Sequence, residues 1–334
     1  MGSSHIVKFT PPSLLPSFED TSSRTSVCRI TDRIPTYVKE LIAGGVAGGF
    51  AKTVVAPLER TKILYQTQNA TFGSFGLLHS LGFIYQKEGA LGFYKGNGAS
   101  VIRVVPYAAL HFTAYEQYRR LMIDYFPIGD APGASVDLLA GALAGGTAVL
   151  CTYPLDFART MLAFQVKDAV TGSVPFKGFR DVFSKVVKES GFKGMYRGIA
   201  PTLYGMLPYA GLKFYVYERM KSSLPDEQQS SVFVKLACGA VAGVTGQTVT
   251  YPLDVVRRQM QVQAVGPSNE GYTSTFNGLV SIARKQGVQQ LFAGLSINYI
   301  KLVPSVAIGF TTYDAVKSWL RAPPRDRGGK KLNT

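Results

Sequence analysis

Pro57-Leu58-Glu59-Arg60-Thr61-Lys62, Pro154-Leu155-Asp156-Phe157-Ala158-Arg159 and Pro252-Leu253-Asp254-Val255-Val256-Arg257 are three writings of one pattern: proline, any residue, acid, two residues, base. Their prolines stand 97 and 98 residues apart, so the chain reads as three copies of one unit. A copy of about 100 residues cannot bury its apolar face without neighbours, which overrides the separate domains that length alone would suggest. The repeats fall at 36–124, 134–224 and 231–321. Residues 1–35, rich in Ser, Thr and Pro, read as disordered, and 322–334 as a basic tail. One acid and one base per copy can close a ring of three salt bridges around an axis. A ring of that kind is a gate.

Hydrophobic residues are 46% of the chain, charged residues 17%, and 35 residues are glycine. This is the composition of a polytopic membrane bundle packed through small residues rather than of a soluble enzyme. No unbroken run of 18 apolar residues occurs. Apolar stretches interrupted by Lys, Arg and Gly are expected of helices that line a watery cavity, because intramembrane charge must face the interior. The net charge of +15 suits an anionic membrane surface or an anionic small substrate. Without zinc-ligand spacing, an RNP motif or a basic region with heptads, a nucleic-acid partner is not expected.

The histidines, His5, His79 and His111, join no Ser/His/Asp or Cys/His grouping and no metal spacing, so neither enzyme, metal site nor cofactor is expected. Cys28, Cys151 and Cys238 are too scattered for a disulfide framework. The start has Gly2 but Ile6 where a myristoylation signal needs Ser or Thr. Glu19 and Asp20 argue against a cleaved amphipathic leader, so any targeting signal is expected to be internal.

Each copy contributes two transmembrane helices. The first carries a GxxxG pair, Gly44/Gly48, Gly141/Gly145 or Gly239/Gly243, which allows close helix approach. Pro57, Pro154 and Pro252 lie inside these apolar stretches and are expected to kink them. The second half keeps register around Gly96, Gly198 and Gly294, with Gly89, Gly191 or Gly287 seven residues earlier and Pro106, Pro208 or Pro304 ten later. Twenty residues on stand Tyr115-Glu116, Tyr217-Glu218 and Tyr313-Asp314, each followed by a base: Arg119, Lys221 or Lys317. Between the two helices a more polar stretch such as 179–189 reads as a surface helix. The fold expected is all-α: six transmembrane helices with pseudo-threefold symmetry and both termini on one side.

The proline motifs fall toward one end of the odd helices, and the tyrosine motifs toward the opposite end of the even ones. Acids and bases should pair between neighbouring copies. At one mouth the pairs are Glu59 with Arg159, Asp156 with Arg257 and Asp254 with Lys62. At the other they are Glu116 with Lys221, Glu218 with Lys317 and Asp314 with Arg119. Gln66 and Gln261, four residues past a motif base, could brace the first ring, while the second copy has Ala163 there.

On these six motifs the chain, over about residues 36–320, resembles the mitochondrial carrier family. The resemblance implies alternating access in the inner membrane, both termini toward the intermembrane space, with the proline-motif ring as matrix gate and the tyrosine-motif ring as cytoplasmic gate. Members in peroxisomes or plastids leave the organelle open. It also places substrate midway along the even helices, at Arg103, Gly205 and Lys301, seven residues past the register glycines. Val101-Ile102-Arg103, Gly205-Met206 and Lys301 are similar to the nucleotide-transporting branch. Arg offers a bidentate fork to phosphate and Lys a point charge, while Gly205 beside Met206 leaves a slot for a purine. Lys52, where the other copies have Val149 and Gln247, and His111 and Lys213 are further cavity candidates because they break the symmetry.

Within the branch, Arg257-Arg258-Gln259-Met260-Gln261 departs from the three arginines and methionines of ADP/ATP exchangers. No D-x-D-x-D-G calcium loop precedes the repeats, unlike ATP-Mg/phosphate carriers. The stretches 91–100, 207–215 and 294–301 are especially similar to plant coenzyme A carriers. The expected cargo is therefore coenzyme A, exchanged for adenosine 3′,5′-bisphosphate or an adenine nucleotide. An ATP-Mg/phosphate or ADP/ATP-type carrier is the alternative within the fold, and a non-transporting membrane interaction protein the alternative of another class. Membrane lipid, including cardiolipin, is the other implied partner, and one chain suffices for a gated cavity.

Overall fold

The computed structural model describes residues 36–67, 76–125, 134–166, 175–225, 231–263 and 272–320. The expectations for 1–35 and 322–334 lie outside these. Repeat 1 comprises α1 (Thr36–Val54), α2 (Ala56–Gln66), α3 (Leu77–Glu88) and α4 (Asn97–Tyr125). Repeat 2 comprises α5 (Ala134–Phe164), α6 (Phe179–Gly194) and α7 (Ile199–Ser222). Repeat 3 comprises α8 (Val232–Val262), α9 (Thr275–Lys285) and α10 (Leu295–Trp319). The α1–α2 pair and the five other long helices make six spans. Helices of 24 to 31 residues reach about 36–46 Å, enough for a hydrocarbon core of about 30 Å. By hydropathy, among the described residues, only 136–164 and 288–319 would qualify, or three spans if the bent α1–α2 pair counts as one. The others dilute their apolar stretches with glycine, proline, polar residues and, on α4, Arg103.

The spans close into a ring: α1 packs on α4, α4 on α5, α5 on α7, α7 on α8, α8 on α10, and α10 back on α1. At the proline-motif end α2, α5 and α8 also meet one another. The chain bends by 62° between α1 and α2, just before Pro57. In α5 and α8, by contrast, the helix runs unbroken through Pro154 and Pro252. A span tolerates the lost hydrogen bond when packed neighbours hold the freed carbonyl's surroundings in place.

The register glycines have a physical cause. Gly96, Gly198 and Gly294 take φ of 80°, 84° and 77°, the left-handed turn that starts each even helix. They also touch the next repeat. A methyl at Gly96 would lie 2.6 Å from the Arg159 carbonyl oxygen, at Gly198 2.9 Å from that of Arg257, and at Gly294 3.4 Å from that of Lys62. The residues approached are the three motif bases, so each even helix is seated against its neighbour's charge motif. Below the spans α3, α6 and α9 lie alongside the odd helices. The largest apolar cluster joins Tyr153, Phe157 and Met161 of α5 to Val182 and Val186 of α6.

The GxxxG stripes are used unequally. Gly48 meets Val104 of α4 and Gly145 meets Met206 of α7, whereas Gly44, Gly239 and Gly243 face open space. The close approach in repeat 1 is completed by Gly45 and Gly49 against Val105 and Val101, and in repeat 3 it is made by Gly246 against Tyr209. Helix rotation, which glycine spacing leaves undetermined, decides which glycines are covered. Gly48→Ala would press a methyl to 2.8 Å from Val104 Cγ1 and is expected to destabilise the fold by about 1–3 kcal/mol. Gly239→Ala should leave the thermal unfolding midpoint unchanged; equal midpoints for both variants would contradict this packing.

Candidate functional site

Where α2, α5 and α8 meet, three carboxylates form the floor of the space inside the ring. Each faces a motif base of the next repeat: Glu59 with Arg159, Asp156 with Arg257, and Asp254 with Lys62, the last at 2.8 Å. Two glutamine amides hold the floor. Gln66 Nε2 donates to Asp254 and to the Tyr251 hydroxyl, both at 3.1 Å. Gln261 Nε2 donates to Asp156 at 3.2 Å and to the Tyr153 hydroxyl at 3.0 Å.

Cations from the even helices reach the same carboxylates. Arg103 of α4 binds Asp156 Oδ1 at 2.8 Å and donates to Thr152 Oγ1 at 3.2 Å. Lys301 of α10 binds Glu59 at 2.8 Å, and Lys52 of α1 stands 3.7 Å from it. Arg258 adds a third arginine to Asp156, at 3.2 Å. Seven cationic side chains thus converge on three carboxylates, leaving an excess of four positive charges. Among the described residues Asp254 makes no ion pair with an even helix; the matching position on α7 is Gly205.

The remaining substrate candidates stay apart from this cluster. Gly205 lies against Leu253 of α8. Met206 leans on α5, packed in the Tyr153–Phe157 cluster, so the slot expected beside Gly205 is bounded by α5 and α8. His111 stacks on Tyr107 at 6.0 Å, and Tyr107 in turn lies under the Arg103 guanidinium at 5.1 Å. Lys213 is exposed and makes no ion pair among the described residues.

At the tyrosine-motif end none of the three expected pairs is formed. Arg119 binds Asp137 at 2.7 Å with Tyr115 donating to the same oxygen. Among the described residues Glu116 pairs only with Arg120, at 3.9 Å, and Lys317 stands 3.9 Å from Glu40 and over the Tyr313 ring. Tyr217, Glu218, Lys221 and Asp314 enter no ion pair among the described residues. The physical reason is the packing. The proline ends of the odd helices converge, while α4, α7 and α10 pack on odd neighbours rather than on one another. Among the described residues the proline-motif end is tied by ion pairs between repeats and the tyrosine-motif end is not.

Sequence reading missed Arg258, Tyr153, Tyr251 and Asn298, which accepts from Lys62 at 3.1 Å. A signal existed for the tyrosines, since each directly precedes a motif proline in two of three copies, and for Arg258, which breaks the symmetry as Lys52 does.

The family described as mitochondrial carrier protein matches residues 35–126, 131–228 and 228–323. A maize protein, "Mitochondrial carrier protein CoAc1", is 58% identical over 90% of this chain and 93% of its own length. The Arabidopsis thaliana protein of the same name is 55% identical over 93% of this chain and 98% of its own. The rat "Mitochondrial coenzyme A transporter SLC25A42" is 42% identical over 85% of this chain and 88% of its own. With three matches end to end over a ring of six spans, the chain belongs to the mitochondrial carrier protein family, whose members are transporters and not enzymes.

Proposed function

We propose that this carrier exchanges coenzyme A, against adenosine 3′,5′-bisphosphate or an adenine nucleotide, across the mitochondrial inner membrane by alternating access. The observation that carries the reading is the floor's excess of four positive charges, with Arg103 and Lys301 held by gate carboxylates. Coenzyme A bears a diphosphate and a 3′-phosphate, about four negative charges at neutral pH. The names of the maize, Arabidopsis and rat relatives support the same cargo.

In this mechanism the anion enters from the tyrosine-motif end. Arg103, Lys301 and Lys52 exchange carboxylate for phosphate oxygens, so Asp156 and Glu59 each lose a counter-charge as substrate binds. A partly solvated ion pair contributes only about 0–1 kcal/mol, whereas a buried carboxylate stripped of a partner is destabilised by several. Substrate therefore loosens two corners of the matrix gate from above. Opening there lets the tyrosine motifs close as Glu116–Lys221, Glu218–Lys317 and Asp314–Arg119. Both termini then lie toward the intermembrane space, one chain forms the whole path, and anionic lipid such as cardiolipin is the lipid partner.

The test is exchange in liposomes loaded with one nucleotide and supplied with another. Labelled coenzyme A should enter only against an adenine nucleotide or coenzyme A inside. Uptake of ATP-Mg against phosphate with none of coenzyme A would overturn the cargo.

A further inference from the structure

Two of the three seams between repeats are built alike, and the third is not. Tyr153 donates to the Arg197 carbonyl at 2.9 Å and accepts from Gln261; Tyr251 donates to the Ala293 carbonyl at 2.9 Å and accepts from Gln66. Each tyrosine–glutamine pair locks one floor carboxylate to the start of an even helix. Between repeats 1 and 2 the tyrosine's place is held by Ala56 and the glutamine's by Ala163. A small cleft lies there, lined by Ala56, Glu59, Arg60, Lys95, Arg159 and Ala163.

Arg60 crosses this seam. Its side chain is 1% exposed, and it directly follows Glu59. Nε donates to the Ala163 carbonyl at 3.2 Å and Nη2 to that of Gln165 at 2.8 Å, both at the end of α5. Nη1 donates to the Gly92 carbonyl and to Glu88 Oε2, the latter at 2.6 Å. One planar fork thus ties the end of repeat 2's odd helix to the segment joining α3 and α4. The last carbonyls of a helix lack intrahelical donors, and a cation at that end is electrostatically favoured. The matching residues in the other copies are Phe157 and Val255, which have no donors.

We propose that Arg60 is a positioning residue for the Glu59–Arg159 corner, a backbone clasp standing in for the absent tyrosine–glutamine brace. Because the clasp holds carbonyls, it leaves Glu59 wholly to cations. Asp156 and Asp254 each accept a glutamine amide, but Glu59 meets Arg159, Lys301 and Lys52 instead. The corner most exposed to substrate competition is therefore the one secured by a bond that substrate does not touch. This rests on the proline-motif ring being a gate.

Amide hydrogen exchange on the full chain in lipid nanodiscs tests it. Arg60→Gln with Glu88→Gln removes the clasp and leaves a neutral amide at 88 whose oxygen can still accept from Lys95, which stands 3.0 Å from Glu88. Exchange over 56–66 and 159–166 should rise roughly tenfold while 251–263 stays protected. Adding Ala56→Tyr and Ala163→Gln should restore protection. An even rise across all seams, or no restoration by the grafted brace, would overturn the proposal. Should the double variant not fold, Arg60→Lys keeps the charge opposite Glu88 but not the fork. Loosening confined to 159–166 then supports the clasp, and none overturns it. Failure of the gate reading is separable: Asp254→Asn would leave transport unchanged while the seam result stood.

Discussion

Arg103→Ala and Lys301→Ala are each expected to abolish coenzyme A exchange in liposomes while the protein still unfolds cooperatively, because Asp156 keeps Arg257 and Arg258 and Glu59 keeps Arg159. Each side chain loses two things at once. The phosphate loses a charge-assisted hydrogen bond, a contribution of about 1.5–3 kcal/mol that corresponds to roughly ten- to a hundredfold in affinity. The floor loses the link between substrate and gate, because the carboxylate opposite, Asp156 or Glu59, no longer changes partner when the anion arrives. The second loss makes the variants worse than weak binders, so raising coenzyme A well above saturation should not restore the rate. Arg103→Lys tests the fork: a point charge reaches Asp156 but cannot span two phosphate oxygens, and a large deficit should remain. Lys213→Ala, whose side chain makes no floor contact, should cost much less. Normal exchange by both alanine variants would overturn the assigned contacts.

The floor pairs could be read from the chain because they depend on register alone. A motif repeated at 97 and 98 residues fixes which base stands opposite which acid, whatever the details of packing. The left-handed turns at Gly96, Gly198 and Gly294 were marked for a similar reason: only glycine suits both the dihedral and the neighbouring carbonyl. What depends on side-chain reach was not legible. Nothing in the spacing says that Arg103 and Lys301 extend to Asp156 and Glu59, or that Met206 turns onto α5. In the proposed cycle the tyrosine motifs pair only when the other mouth is open, so one chain would encode both arrangements. Arg60 escaped notice because three of its four partners are backbone carbonyls, which leave no mark in residue identity.

The unequal corners of the floor alter what a charge swap should do. By symmetry alone, exchanging Glu59 with Arg159 and exchanging Lys62 with Asp254 would rescue equally well. They should not. Glu59 also neutralises Lys301 and Lys52, so an arginine at 59 would stand among two further cations, and like charges brought together cost several kcal/mol. Among the described residues the Lys62–Asp254 pair makes no ion pair with an even helix, and its side-chain hydrogen-bond partners, Gln66 and Asn298, are neutral amides that can turn to serve either charge. Either single reversal, Lys62→Asp or Asp254→Lys, should reduce coenzyme A exchange by roughly a hundredfold or more, since it sets two like charges across the gate. The double swap Lys62→Asp with Asp254→Lys should return most of that rate. Glu59→Arg with Arg159→Glu should return little, and adding Lys301→Ala should not help, because that cation is also the proposed phosphate contact. Equal recovery by the two swaps would mean that the floor works as a symmetric ring, and that Lys301 and Lys52 do not couple substrate to the gate through Glu59.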